Sequence, residues 1–176
     1  RLLRRDQFGG KPLAASDGPA WFDTLDDAKI LDVLSQCERP THRDGAMYCF
    51  ADVKSGLRLF PGWAKNVIVW DKTKIGMGYA WRRMHEWIGY RPLKKHKLRD
   101  MTLGDIIRVP GVFEKQHPSE KPFAVIQPLI RNSTDIGDIL LDPFAGIGST
   151  GVAAILEGRK AILIEKDPAY AAIARR

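Results

Sequence analysis

The chain has 176 residues, with 28 lysines and arginines against 21 aspartates and glutamates, and a formal charge of +7. That length suits one domain with a sizeable core, and the ordinary composition excludes collagen-like and disordered classes. No apolar run reaches the length of a membrane helix, the arginine-rich opening leads into no apolar signal-peptide core, and two cysteines, Cys37 and Cys49, are too few for a disulfide framework or a zinc cluster. The expectation is a soluble, cytoplasmic protein. Its charge is local: between Lys72 and Arg99 nine basic residues meet one acid, Glu86, so this segment carries +8 and the rest of the chain −1. The chain opens on Arg1 rather than Met, from which a processed product or a piece of a longer reading frame is expected.

In chain order, Leu25, Ala28, Leu31 and Leu34 predict an amphipathic helix over 24–37, with Thr24 as its N-cap and acids in its first turn. A charged loop follows. The apolar run 46–51 reads as a short buried strand with Asp52 at its end, and the β-branched run 66–70 repeats the pattern with Asp71. The basic segment, broken by Gly76, Gly78, Gly89 and Pro92, reads as loop with a short helical turn at 79–87. A helix is expected over 119–132, entered at Lys121-Pro122 and kinked or ended early by Pro128. The last third then alternates: strand 139–141, helix 149–156 stopped near Gly158, strand 161–164, and helix 168–175 with Asp167 as N-cap and Pro168 at its first position. Near-continuous apolar strands alternating with helices indicate a parallel sheet covered on both faces.

The most informative segment is Leu140-Leu141-Asp142-Pro143-Phe144-Ala145-Gly146-Ile147-Gly148-Ser149-Thr150-Gly151. A strand runs through a tight glycine turn into a helix, so backbone N–H groups and the positive end of the helix dipole converge on an anionic or polar ligand. Glu165 ends the next strand, where a carboxylate can accept from both hydroxyls of a ribose. Gly146 to Gly151 also spells a dinucleotide fingerprint, but that fold needs several further βα units after its acid, and eleven residues follow Glu165 here. A glycine turn without a ligand is the other alternative. The agreement of strand, glycines, helix and acid opposes it.

Preceded by His117-Pro118-Ser119-Glu120-Lys121-Pro122 and followed by Ile164-Glu165-Lys166-Asp167-Pro168-Ala169-Tyr170, this loop resembles the S-adenosylmethionine-binding half of the DNA amino-methyltransferases. These enzymes methylate the exocyclic nitrogen of adenine or cytosine. The order matches the permuted group, with the catalytic region first, then target recognition, then the cofactor loop. The resemblance extends upstream through 47–52 and 66–72. It implies an α/β, Rossmann-like methyltransferase fold, with a mostly parallel sheet and helices on both faces. The expected layout is one domain over 1–176, incomplete at its N-terminus, with a DNA-contact segment at 72–99 and a cofactor half at 117–176. Residue by residue, it implies that Asp142, Phe144, Ala145, Gly146, Gly148, Ser149 and Thr150 wrap the methionine portion of S-adenosyl-L-methionine. Glu165 would hold the ribose with Asp167 nearby, and Ser119 and Lys121 would approach the amino-acid end. Judged alone, Lys121 fits a solvated lysine, His117 a hydrogen-bonded turn residue, and Phe144 a core position equally well.

Methyl transfer to an amino group needs an acceptor on that nitrogen and an aromatic face for the flipped base. The family supplies both through an Asp/Asn/Ser-Pro-Pro-aromatic motif. This sequence contains no Pro-Pro dipeptide, and Asp17-Gly18-Pro19-Ala20-Trp21 is a distant echo. Catalytic residues are therefore unassigned, and the motif is expected upstream of Arg1. Covalent attack at carbon-5 of cytosine would need a cysteine, usually after proline; Cys37 follows Gln36 and Cys49 follows Tyr48. Double-stranded DNA is the expected partner, with Lys72, Lys74, Arg82, Arg83, Lys94, Lys95 and Lys97 as phosphate contacts. Tyr79, Trp81, Trp87 and Tyr90 lie among them, either to stack on bases and fill the gap of a flipped base or to anchor a loop to the core. No metal or membrane is expected, a homodimer is left open, and the type is bacterial or phage. The alternatives are a non-catalytic DNA-binding remnant and a methyltransferase acting on RNA or a small molecule.

Overall fold

The computed structural model describes residues 27–76, 81–112 and 120–176. Their elements run α1 (Asp27–Glu38), β1 (Ala46–Ala51), α2 (Val53–Leu59), β2 (Asn66–Asp71), β3 (His85–Pro92), β4 (Ile106–Arg108), α3 (Phe123–Ser133), β5 (Ile139–Asp142), α4 (Ser149–Leu156), β6 (Lys160–Leu163) and α5 (Pro168–Ala174). Four strands form one sheet in the order β1-β3-β2-β4, and β5 and β6 form a second. β3 is antiparallel to both β1 and β2, whereas β4 runs parallel to β2 and β6 parallel to β5. The α/β class holds, and the pairing is mixed, with two parallel pairs and two antiparallel ones.

The period-two alternation of each strand assigns its side chains to two cores. Tyr48 and Phe50 of β1, Ile68 and Trp70 of β2, and Ile88 of β3 pack with Val125, Ile126, Leu129 and Ile130 of α3 and with Ala153 and Ala154 of α4. Their neighbours Cys49, Ala51, Val67 and Trp87 turn to the other face, against Ile30 of α1 and Leu59 of α2. Helices therefore cover both faces, as the apolar runs imply. In the second sheet Leu140 and Ala161 reach the first core, while Ile139, Leu141 and Ile162 point outward and are exposed.

Three local expectations change. The basic segment holds the central strand β3, whose Trp87, Ile88 and Tyr90 are β-formers and whose two neighbours take up its backbone groups; Gly89 lies within the strand and Pro92 is its last residue. No helical turn forms at 81–87. Helix α3 begins at Phe123 and continues through Pro128 to Ser133, because Val125, Ile126, Leu129 and Ile130 bury its apolar face and outweigh one missing hydrogen bond. Helix α2 and strand β4 were not foreseen. The proposed cap Thr24 lies outside the described residues.

The strand directions define two edges. β1 and β2 end together beside the start of β3, with Asp71 opposite His85 and Ala51 opposite Trp87. At the other edge, beyond the end of β3, Arg99 N–H donates to Asn132 O near the end of α3, and the chain then turns into β5. β5 thus rises in the same sense as β1 and β2. α3 starts after Lys121 beside Glu86 at the carboxyl edge and ends beside Arg99 at the other, so β5 sets out from that second edge and its end at Asp142 is directed toward the edge of Asp52 and Asp71.

Candidate functional site

At the end of β5, Asp142 staples the glycine loop to itself. Its Oδ1 accepts from Phe144 N–H at 3.0 Å, and its Oδ2 accepts from the Thr150 hydroxyl at 2.6 Å. Gly146 and Gly148 carry the turn at φ of 53° and 89°, left-handed conformations that a side chain would strain, and Gly148 caps the start of α4. A Cβ on Gly148 would also lie 3.1 Å from the Cβ of Ala174. The first turn of α4, at Ser149 and Thr150, opens the helix with backbone donors that have no partner within it.

Glu165 follows β6 at the same edge. Its Oε2 accepts from Gly146 N–H at 2.7 Å and its Oε1 from Asp167 N–H at 2.9 Å. Two backbone donors fix the carboxylate against the loop and leave further lone pairs open. Asp167 itself caps α5 by accepting from Ala169 N–H at 2.8 Å. Ala145 and Glu165 also line a cavity of about 220 Å³ with Leu163, Ala171 and Ala174. A larger apolar hollow, about 270 Å³, lies beneath α2 between Phe60 and Trp87 and away from this loop.

A second cluster stands at the ends of β2 and β3. Glu86 receives Lys72 Nζ on Oε1 at 2.5 Å and faces Lys121 Nζ with Oε2 at 3.1 Å. Both ammonium groups also lie over aromatic rings: Lys72 is 4.9 Å from the Trp70 centroid, and Lys121 is 5.7 Å from Phe50 and 5.8 Å from Trp70. Burial raises the Glu86 pKa, but Lys121 and the hydrogen bonds of both lysines outweigh it and hold the carboxyl below its ordinary value. Nearby, Asp52 caps α2 through Lys54 N–H and Ser55 N–H and sits 3.7 Å from Arg83. Asp71 accepts from Thr73 N–H and lies 3.5 Å from Arg108.

The residues expected to wrap a ligand divide by role. Ala145, Gly146 and Gly148 are buried in the turn, Phe144 is 63% exposed rather than core, and Asp142 is occupied in shaping the loop. Lys121 belongs to the Glu86 cluster. Ser119 and His117 lie outside the described residues. The seven basic residues expected to form one surface separate into two: Lys72, Lys74, Arg82 and Arg83 at the carboxyl edge, and Lys94, Lys95 and Lys97 beyond the other end of β3. Tyr90 is buried, Trp87 packs against the α2 side of the sheet, and Trp81 is bare. Glu86 escaped the sequence reading as a functional group. The signal was there, since one acid amid nine basic residues invites a shared partner. Both thiols are held protonated by burial, Cys49 with its pKa pushed up to about 11 and Cys37 also raised, which fits their rejection as nucleophiles. Among the described residues, no group of three or more His, Cys, Asp or Glu side chains is placed to hold a metal ion, and no helix is long and apolar enough to cross a membrane.

A glycine turn into a helix and an acid at the next strand tip, both at the carboxyl edge of an α/β sheet, define a Rossmann-like ligand-binding fold. The profile of the DNA methylase family, the N6/N4 methyltransferases, matches residues 86–176, more than half of the chain, and the chain belongs to that family. It is 31% identical over 132 residues to the type II methyltransferase M2.MboI of Moraxella bovis, covering 63% of this chain and 48% of that protein, so it spans about half of that relative's length. In fold it matches the crystal structure of an M1.HpyAVI–S-adenosylmethionine complex with a TM-score of 0.70 at 21% identity, covering 83% of this chain and 81% of that one. It also matches the cytosine-N4-specific PvuII DNA methyltransferase with a TM-score of 0.72 at 14% identity, covering 94% and 75%.

Proposed function

We propose that this chain carries the cofactor-binding and DNA-facing parts of an S-adenosylmethionine-dependent methyltransferase that modifies the exocyclic amino group of adenine or cytosine in DNA. The observation that carries this reading is Glu165, fixed between Gly146 N–H and Asp167 N–H against the glycine loop. Its remaining lone pairs suit the two hydroxyls of a ribose, and the donors at the start of α4 suit an amino-acid carboxylate. That pairing of acceptor and donors fits an adenosyl amino acid. When bound, the cofactor supplies an activated methyl group. Asp142 holds the loop open for it through Phe144 and Thr150. Lys121, steadied by Glu86, faces the amino-acid end, and Lys74, Arg82 and Arg83 face the DNA backbone. An acceptor for the target amino group is unassigned in this chain; among the described residues β1 and β5 are edge strands of their sheets. Family membership and the fold shared with a solved S-adenosylmethionine complex support the reading.

Calorimetric titration tests the cofactor. S-adenosylmethionine or its demethylated product is expected to bind, and binding of NAD in its place would overturn the assignment. Glu165→Ala is expected to weaken binding by about 1–3 kcal/mol through loss of charge-assisted hydrogen bonds. Glu165→Gln keeps the side chain's size and one of the two backbone bonds while it removes the charge, so it separates the charge's contribution from that of bulk. Unchanged affinity in both variants would remove Glu165 from the site. The alternative reading is a DNA-binding member without a reaction of its own. Transfer of a labelled methyl group to duplex DNA by the full reading frame supports the first reading; cofactor binding by it without transfer supports the second.

A further inference from the structure

We propose that Trp81 is a wedge that enters the base stack of duplex DNA beside the base being modified, an inference that rests on the DNA reading above. Trp81 is 98% exposed, while Trp70 is fully buried and Trp63 and Trp87 pack against the second core. A fully hydrated indole gains nothing for the fold, since burial is what makes a tryptophan stabilising. Its setting points to a polyanion. Arg82 and Arg83 follow it directly, Lys74 stands on the opposite limb of the same arm, and the exposed apolar side chains Ile75 and Met84 lie among these cations.

The arm is built to resist force at its base. Beyond the ends of β2 and β3 the pairing continues, with Lys72 N–H donating to Met84 O at 2.8 Å and Gly76 N–H to Arg83 O at 3.0 Å. Gly76 permits this approach, since a Cβ there would meet Arg83 O at 2.6 Å. The Lys72–Glu86 bond and the Arg83–Asp52 pair tie the arm to the sheet's carboxyl edge, the edge that also carries Gly146 and Glu165. Apolar side chains on a cationic arm are the composition of a wedge that unstacks a base step while its arginines hold the phosphates. A second copy of the chain is a poorer occupant, because the two cationic arms would repel.

The test compares the whole chain with Trp81→Ala on an intact duplex and on the same duplex carrying one abasic site. Because the indole is 98% exposed, the variant is expected to melt close to the wild-type temperature. Wild type is expected to prefer the abasic duplex, where unstacking is already done. Trp81→Ala is expected to bind the intact duplex about 5- to 100-fold more weakly, to lose the preference, and to keep the salt dependence of wild type. Trp81→Phe is expected to restore part of both losses. If Trp81→Ala binds both duplexes like wild type while Arg82→Ala and Arg83→Ala weaken binding, DNA contact stands and the wedge is wrong. If wild type shows no salt-dependent DNA binding at all, the wedge falls together with the DNA reading.

Discussion

The two ends of β3 carry similar charge and put it to different use. Before the strand stand Lys72, Lys74, Arg82 and Arg83; after it stand Lys94, Lys95, Lys97 and Arg99. Eight residues of strand separate the groups by roughly 25 Å. At the first end a half-buried acid gathers two lysines over aromatic rings, and a bare indole leads two arginines. At the second end the backbone is tied down: Leu93 N–H donates to Gly45 O, Lys95 N–H to Arg43 O, and Arg99 N–H to Asn132 O. Arg99 also forks onto Asp135 with bonds of 3.1 and 2.8 Å. A count of charges along a sequence cannot tell a ligand-facing cluster from a structural one. Strand direction can, because only one end of β3 shares the carboxyl edge with the glycine loop.

The largest effect expected from breaking this asymmetry is at Glu86. Glu86→Gln leaves Lys72 and Lys121 without their shared counter-charge beside Trp70 and should cost about 1–3 kcal/mol of stability, less than a fully buried pair because solvent still reaches the site. The pH dependence gives a second readout. Glu86 is held below its ordinary value of 4.5 in the fold, so its contribution is present above that pH and is lost as pH falls through the lowered value. Wild type should therefore lose stability on acidification below about pH 4.5, and Glu86→Gln should flatten that part of the curve of melting temperature against pH. An unchanged acid limb would mean that the lysines find other partners.

DNA affinity sharpens the comparison next. Replacing Arg82 and Arg83 by alanine should reduce the slope of log affinity against log salt by about 1.8, or about 0.9 for each phosphate that is no longer neutralised. Replacing Lys94, Lys95 and Lys97 together should leave the slope close to wild type. Equal reductions from both sets would show that DNA wraps the whole sheet and would restore the single basic surface that the sequence implied.

Much of this architecture was legible in the residues. The apolar runs at 46–51, 66–70, 139–141 and 161–164 became the strands 46–51, 66–71, 139–142 and 160–163, Asp167 became a helix cap, and the Asp142–Thr150 loop met Glu165 as its spacing required. What was not legible depended on pairing. β3 looked like loop because glycine, proline and charge interrupt it, yet with hydrogen bonds available on both sides it becomes the central strand. Pro128 looked like a stop because local propensity ignores the core that α3 fills. Lys121 and Lys72 looked unrelated, because nothing local shows that the register of β2 on β3 and the approach of the segment before α3 bring both to Glu86.

The smallest effect tests whether the other side of the comparison is purely structural. Tyr48 of β1 is hydrogen-bonded at 2.5 Å to Ser133, the last residue of α3 and buried, so the bond ties the sheet to the helix whose end anchors Arg99 through Asn132. Tyr48→Phe removes one hydroxyl from a nearly closed pair and should cost about 1 kcal/mol. Burial pushes the Tyr48 pKa up to about 12 from 10.0, so the folded state holds the neutral phenol while the unfolded chain ionises. Stability should therefore be intact below pH 10 and fall between pH 10 and 12; Cys49, raised from 9.0 to about 11, begins a similar decline one unit lower. Tyr48→Phe should remove the upper part of that alkaline decline and leave the lower part to Cys49. Cofactor affinity and the DNA salt slope should stay at wild-type values, because this bond holds the fold without facing the carboxyl edge. A drop in cofactor affinity in Tyr48→Phe would show that α3 carries strain from one edge to Lys121 at the other, and the division of labour between the two ends of the sheet would no longer hold.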